Sequence, residues 1–304
     1  MINNSILVTG ASGFIGSNLV RYLNNSGYDV HIVIREGSDV NSIGLPEGSL
    51  RLHVYDGSLK SLKRIFRIVL PTHVFHLASL FLAEHDENNL DNLLASNIGF
   101  STQLIEAMVS VGVRYLINTG TSWQHYKDAD YSPVNLYAAT KQAFESILDF
   151  YIQAKGLKVV TLSLFDTFGP NDTRKKLLQL LWKTSAQETP LLMSPGEQKI
   201  NLVYIDDVVK AFEIAFHQIS RMPAGHHKFG VRSLNDLTLR KVVEIFEATL
   251  SVQLNIVWGG REYRTREVMT PWANSVALPG WRPKVTLEEG LLLTFCDKTG
   301  SLGI

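Results

Sequence analysis

Short runs of β-branched and other apolar residues recur through the first half of the chain, at Ile6–Thr9, Val30–Ile34, Leu52–Tyr55, Val74–Leu77, Tyr115–Asn118 and Val159–Leu164. Each is apolar at nearly every position, the pattern of a strand buried on both faces. Between them lie longer segments of helical period, with room for the crossovers that parallel strands require. The pattern predicts an α/β chain built on a doubly wound parallel sheet. After Gly169-Pro170 the rhythm loosens into a helix near Leu177–Lys183, a strand near Leu191–Met193, and a stretch from Trp258 to Pro283 rich in Arg, Trp, Gly and Pro. A smaller C-terminal α/β lobe is predicted there. Val203–Ile205 and the helix Val208–Phe216 are expected to return to the main sheet. The first unit is thus drawn over 1–168 with 200–232 rejoining it, and the lobe mainly over 169–304.

Composition narrows the function classes. With 304 residues, 45% of them hydrophobic, the chain can bury a large core. Lys plus Arg equals Asp plus Glu, 29 against 29, so no global charge draws it to nucleic acid or to a membrane surface. Any anion site must be local. The only cysteine, Cys296, excludes an intramolecular disulfide and a Cys-rich metal site, and it suits a reducing compartment, most simply the cytoplasm. No metal is expected. The opening Met-Ile-Asn-Asn-Ser has no basic region, and no apolar run reaches the ~18 residues of a membrane span. Neither a targeting segment nor membrane insertion is expected.

The first strand ends in Thr9-Gly10-Ala11-Ser12-Gly13-Phe14-Ile15-Gly16, followed by a helix over Asn18–Leu23. Gly10, Gly13 and Gly16 form G-x-x-G-x-x-G. Without Cβ atoms, the backbone around Phe14 and Ile15 can approach a pyrophosphate at the positive helix N-terminus, and the helix can pack closely on the sheet. A glycine triplet alone is often just a turn; between the first strand and helix of a βαβ unit it reads as a dinucleotide loop. The second strand ends in Ile34-Arg35-Glu36-Gly37-Ser38, about 20 residues on, where a ribose-binding carboxylate commonly stands. Arg35 can pair with a 2′-phosphate and stack on adenine, which favours NADP(H). The alternative is a solvated Arg35, with Glu36 serving the ribose of NAD(H).

The strongest chemical signal is Leu136-Tyr137-Ala138-Ala139-Thr140-Lys141. On a helix, Tyr137 and Lys141 share one face. A nearby ammonium favours the phenolate, so it is expected to lower a phenol pKa otherwise near 10 and make Tyr137 an acid/base at neutral pH. A lone Y-x-x-x-K usually marks only a helix surface. This one follows Asn118-Thr119-Gly120-Thr121-Ser122 at the end of the fifth strand, where doubly wound sheets bind ligands.

With these pieces the chain resembles the extended short-chain dehydrogenase/reductases, in particular the NAD-dependent epimerase/dehydratase family of nucleotide-sugar enzymes, from about Ile6 to Leu292. Phe165-Asp166-Thr167-Phe168-Gly169-Pro170, Val203-Tyr204-Ile205-Asp206-Asp207-Val208 and Gly280-Trp281-Arg282-Pro283 match the nucleotide-sugar branch. The resemblance implies a Rossmann sheet and a homodimer through the helices near Leu104–Val109 and Ala143–Phe150. It implies that Ser122 hydrogen-bonds the reacting oxygen, Tyr137 exchanges its proton, and Lys141 binds the nicotinamide ribose. Thr121 is the rival for the hydroxyl role. Asp56, before Gly57, resembles the acid that meets the adenine amino group, or is an ordinary turn residue. Leu77, Ala78 and Ser79 would lie under the cofactor, with Asn97 bracing that region; packing or capping is the alternative. Asp166 stands where relatives often carry an asparagine near the sugar phosphates.

The same resemblance bears on the reaction. Dehydratases of the family place an acid pair after the catalytic hydroxyl; this chain has Trp123-Gln124, which can neither give nor take a proton there. Epimerase-reductases acting at C3 and C5 use a Cys and a His, and Cys296 lies in the predicted last helix, far from the ligand edge. Trp123 is placed at the substrate, and His125 is read as orienting the loop or the substrate. What remains is hydride transfer at a carbonyl, or a 4-epimerisation with retained NAD. Arg35 tips the reading to an NADPH-dependent reductase of a nucleotide-diphosphate 4-keto-6-deoxyhexose, of the kind that supplies surface polysaccharides. A steroid or flavonoid ketone reductase and a non-enzymatic NADP(H) redox sensor are the other readings, though sensors typically lose the Tyr or the Lys. Arg261 and Arg264, with Arg266, form a basic cluster suited to a diphosphate, or a solvated strand balanced by Glu262 and Glu267. Arg174, Lys175 and Lys176 begin a predicted helix, where cations oppose the dipole unless an anion lies nearby.

Overall fold

The computed structural model describes residues 5–46 and 48–296. Strands β1 (Ser5–Thr9), β2 (Asp29–Arg35), β3 (Arg51–Tyr55), β4 (His73–His76), β5 (Tyr115–Thr121) and β6 (Lys158–Leu164) alternate with helices. The second half adds β7 (Asp166–Phe168), β8 (Leu191–Met193), β9 (Lys199–Ile200), β10 (Leu202–Tyr204), β11 (Gly225–Val231), β12 (Leu237–Thr238) and β13 (Ile256–Trp258). The helices are α1 (Phe14–Asn25), α2 (Leu59–Val69), α3 (Glu87–Leu94), α4 (Ser101–Ser110), α5 (Leu136–Lys155), α6 (Leu177–Ser185), α7 (Ile205–Ile219), α8 (Leu239–Leu250) and α9 (Leu287–Phe295).

One seven-stranded sheet carries the fold, in the order β11-β6-β5-β4-β1-β2-β3, and every pairing in it is parallel. This is the doubly wound Rossmann arrangement. Successive strand residues point to opposite faces, and the two cores divide accordingly. Ile6, Val8, Ile32, Phe75, Ile117 and Val160 face the side covered by α1 and α7, while Leu7, Val33, Val74, Leu116 and Val159 face α2, α4 and α5. Burial on both faces is why these strands read as unbroken apolar runs. The first core continues into α6, α8 and α9 through Leu178, Leu181, Phe246, Leu291 and Phe295.

The winding reverses between β1 and β4, which opens a crevice at the carboxyl ends of the strands. Two details shape it. Strand β5 runs past Asn118 to Thr121, because its pairing with β6 holds in register to Thr121 opposite Leu164. Helix α5 begins at Leu136 because the Asn135 side chain accepts from Ala138 N at 3.0 Å and donates to the carbonyls of Leu82 (3.1 Å) and Ala83 (2.9 Å). That cap sets Tyr137 in the first turn, tied to the segment after β4.

The structure corrects two expectations. The segment Val203–Ile205 does not join the main sheet: β10 pairs in parallel with β7 as a separate ribbon. The place beside β6 is taken by β11, in register over Gly225–Val231. Helix α7 does pack against the sheet, with Phe216 stacked 5.9 Å from Phe75. Cys296 caps the C-terminus of α9 instead of lying within it. Among the described residues, no helix is long and apolar enough to cross a membrane, and no cluster of His, Cys, Asp and Glu is suited to a metal ion.

Candidate active site

Two adjoining cavities occupy the crevice. The first, about 210 Å³, is lined by Gly10, Gly13, Phe14, Ile15, Gly16, Leu77 and Ser79 on one side and by Thr121, Ser122, Trp123, Tyr137, Lys141 and Asp166 on the other. The second, about 320 Å³, is lined by Trp123, His125, Asp166, Arg261 and Arg264. Ser122, Trp123 and Asp166 belong to both. The two cavities therefore adjoin along these residues.

The glycine loop is a close fit. A Cβ on Gly10 would lie 2.5 Å from Ala78 N, and Gly10 has φ +76, where an L side chain is also strained. A Cβ on Gly16 would lie 2.0 Å from Gly10 O. Ala78 is the residue against which Gly10 packs, and its N–H donates to Thr9 Oγ1 at 3.3 Å. Gly13 stands at the N-cap of α1 with no side-chain cap, and the first turn carries no acid, so the helix N-terminus is left for an anion. In the same cavity wall, Thr119 Oγ1 is buried without a hydrogen-bond partner. A glycine cradle, an uncapped helix terminus and an orphaned hydroxyl fit a dinucleotide with polar groups along its length.

Asn97 stands behind this cavity and organises it. It lies in a π-helical stretch, Ala95–Phe100, between α3 and α4, the kind of bulge that re-aims a side chain. Its Oδ1 accepts from Leu80 N (2.7 Å) and Ser79 Oγ (3.1 Å). Its Nδ2 donates to Leu80 O (3.1 Å) and to Thr140 Oγ1 (2.9 Å). One amide thus ties the segment after β4 to the helix of Tyr137 and Lys141.

Arg35, Asp56 and Gly57 fall outside both cavities, at the ends of β2 and β3 on the same edge of the sheet. Arg35 is exposed, and its N–H donates to Ser38 Oγ at 3.1 Å. Asp56 Oδ1 accepts from Ser58 N (2.9 Å) and Ser58 Oγ (2.6 Å), and these bonds hold its carboxyl below the usual range.

Burial overturns the expected tuning of Tyr137. Desolvation pushes the phenol up to about 12, and the Ser79 hydroxyl and the Arg174 charge only partly oppose it. The same burial brings Lys141 down to about 8, against the pull of the Glu145 carboxylate. At neutral pH Tyr137 therefore keeps its proton while Lys141 remains charged. His76, between Thr9 Oγ1 (2.8 Å) and Ser101 Oγ (2.9 Å), is pushed down to about 3 by burial and by Lys141, so it braces the site as a neutral ring.

The walls of the second cavity are cross-linked. His125 stacks on Trp272 with centroids 3.7 Å apart, and Asp128 accepts from Ala273 N at 2.6 Å. Arg264 pairs with Glu267 at 3.2 Å and lies 6.0 Å from the Trp123 ring, whereas Arg261 lines the cavity with its N–H bonded to Met193 O. Arg174 and Lys176, singled out in the sequence only as cations needing an anion, line the first cavity, and Lys176 reaches both. Arg174 lies over the Phe14 ring at 4.4 Å, and Lys176 over Phe81 at 4.3 Å. Phe81, edge-on to Tyr137 at 5.0 Å, had no sequence signal: it sits in a short apolar loop like any core residue. Thr119 lies in the polar run Asn118–Ser122 at the ligand edge, and that run is its sequence signal.

A family model described as the NAD dependent epimerase/dehydratase family matches residues 6–228. The chain belongs to that family. A nicotinamide dinucleotide is the cofactor of this family, in keeping with the cradle at Gly10–Gly16. Among similar proteins, the CDP-abequose synthase of Salmonella muenchen is 24% identical over 95% of this chain and 96% of its own length. The UDP-glucuronate 4-epimerase of Thermodesulfobacterium geofontis is 26% identical over 95% and 94%. The solved UDP-glucose 4-epimerase of Thermotoga maritima, with UDP-glucose, superposes with a TM-score of 0.80 at 24% identity, over 95% of this chain and 97% of that one.

Proposed function

We propose that this chain is an NADPH-dependent reductase of the C4 keto group of a nucleotide-diphosphate 4-keto-6-deoxyhexose, acting in the cytoplasm on sugars destined for surface polysaccharides. The observation that carries the reading is the buried Tyr137 in the wall of the first cavity, which also holds Ser122, a residue shared with the second cavity. The bound dinucleotide would supply a hydride to the carbonyl carbon. Tyr137 gives its proton to the carbonyl oxygen, so the product is an alcohol, and solvent restores the phenol. Ser122 donates a hydrogen bond to that oxygen, because it lines both cavities, whereas Thr121 lines only the first. Lys141 holds the ribose through its ammonium. The similarity to CDP-abequose synthases over nearly the whole chain supports a deoxysugar nucleotide as substrate. Arg261 and Lys176 face the second cavity as cations for the diphosphate.

Dehydration is disfavoured by the fate of Gln124, which is buried and engaged in bracing, as well as by the absence of an acid pair. A second reading, 4-epimerisation with retained NAD, is favoured by the solved relatives described with NAD and UDP-sugars. Arg35, exposed at the end of β2, supports NADP(H) as the residue that would pair with a 2′-phosphate. A homodimer would use the outward sides of α4 and α5, where Phe150 is exposed, because Leu104, Ile105, Met108, Phe144 and Leu148 are spent on the chain's own core. The test is incubation with NADPH and with NADH against CDP-, dTDP-, GDP- and UDP-linked 4-keto-6-deoxyhexoses, following cofactor oxidation and product NMR. Oxidation with one nucleotide series and NADPH preferred is the expected result; no oxidation with any would overturn the proposal.

A further inference from the structure

We propose that Glu145 is a positioning residue of the active site, whose buried carboxylate keeps Lys141 charged and, through Gln124, fixes the turn that carries Thr121 and Ser122. The inference rests on the reading of Lys141 as the ribose-holding residue. Glu145 lies one turn beyond Lys141 on α5, on the same stripe that buries Tyr137, Lys141, Phe144 and Leu148. Its side chain is 3% exposed. Oε1 accepts from Gln124 Nε2 at 2.9 Å, and Oε2 meets Lys228 Nζ of β11 at 2.6 Å. Gln124, itself 1% exposed, turns its other end to the catalytic turn, where Oε1 accepts from Thr121 N at 3.0 Å.

A glutamine at 145 would satisfy Gln124 equally well and avoid the cost of desolvating a carboxylate. Lys228 pairs directly with Oε2, but its side chain is 43% exposed, so water screens that partner while Lys141 is shut away from water. Lys141 does need the carboxylate charge: burial alone pulls the ammonium toward the neutral form, and Glu145 is the group that opposes this. The other charges around the pair come from three elements. Lys228 and His226 face Glu145 from β11, His125 from the loop after β5, and His76 faces Lys141 from β4. The histidines are all pushed down by burial, so at neutral pH they stay uncharged, and among the described residues Glu145 is the anion acting on Lys141.

The test titrates NADPH and NADH into the full chain as a function of pH, by fluorescence, with a thermal melt at each pH. The wild type should lose affinity as pH rises through about 8, where Lys141 discharges. In Glu145→Gln the loss should begin about one pH unit or more lower, since a nearby opposite charge moves a pKa by roughly that much, leaving affinity at the wild-type midpoint about fivefold weaker. Lys228→Met should keep the wild-type profile. An unshifted profile in Glu145→Gln, whatever its melting temperature, would overturn the proposal. Should that variant fail to fold, Glu145→Asp must retain the wild-type profile, and a downward shift there would refute the role. If the wild type binds neither nucleotide at any pH, the functional reading itself fails, and this inference with it.

Discussion

Replacing Tyr137 with Phe removes one oxygen from the centre of the site and little else. The ring still packs edge-on against Phe81 at 5.0 Å, and Ser79 keeps its bond to Asn97 at 3.1 Å. The structural cost is that of one hydrogen bond, about 1 kcal/mol. The chemical cost is larger. Because the phenol is held near 12, Tyr137 carries its proton through the whole neutral range and is the donor for the forming alkoxide. Loss of a general acid lowers turnover by about a hundredfold or more, about 3 kcal/mol on the barrier. Steady-state ketone reduction should show that fall in kcat, while NADPH titration and thermal melts stay close to wild type. A Tyr137→Phe protein that binds NADPH and reduces the ketone within a few fold of the wild-type rate would refute the assignment.

Other perturbations follow from the same geometry. Gly10→Ala drives a Cβ to 2.5 Å from the Ala78 backbone at a φ of +76, so the protein should melt several degrees lower and lose nucleotide binding, as differential scanning would register. Arg35→Ala should narrow the preference for NADPH over NADH by about tenfold in dissociation constants, and equal affinities in the wild type would contradict the 2′-phosphate role. The buried rings of His73 and His76 are pushed down to about 4 and about 3, from 6.5 in the unfolded chain. Since the unfolded state then binds more protons, stability is fully present above 6.5 and falls as pH drops toward 4. Melts should steepen in that window, and His73→Phe should flatten the slope by about one proton.

The sheet was legible because burial on both faces leaves an unmistakable apolar run, and the strands at Ile6, Val30, Val74 and Val159 came out within a residue or two. Short strands were a different matter. β10 has three residues, and whether it joins β6 or β7 depends on the later arrival of β11, a non-local fact that no local pattern carries. The site splits the same way. Gly10, Tyr137 and Lys141 announce themselves by spacing, and the structure gathers them in one cavity. The sign of the Tyr137 shift was hidden, since it depends on how completely the folded chain buries the phenol. Phe81 and Glu145 were invisible because their roles come from contacts across the fold, not from their neighbours in the chain.

The central claim is a net hydride transfer with release of the oxidised cofactor. The most direct measurement uses NADPH deuterated at the transferable C4 position with a nucleotide-linked 4-keto-6-deoxyhexose, counting NADP⁺ formed and locating the label by NMR. One NADP⁺ for each product molecule, with deuterium bonded to the sugar C4, is the predicted result. Product formed without NADP⁺, or carrying no label at C4, would contradict it, and inversion of C4 in a nucleotide-linked hexose with no net cofactor consumed would identify a 4-epimerase instead.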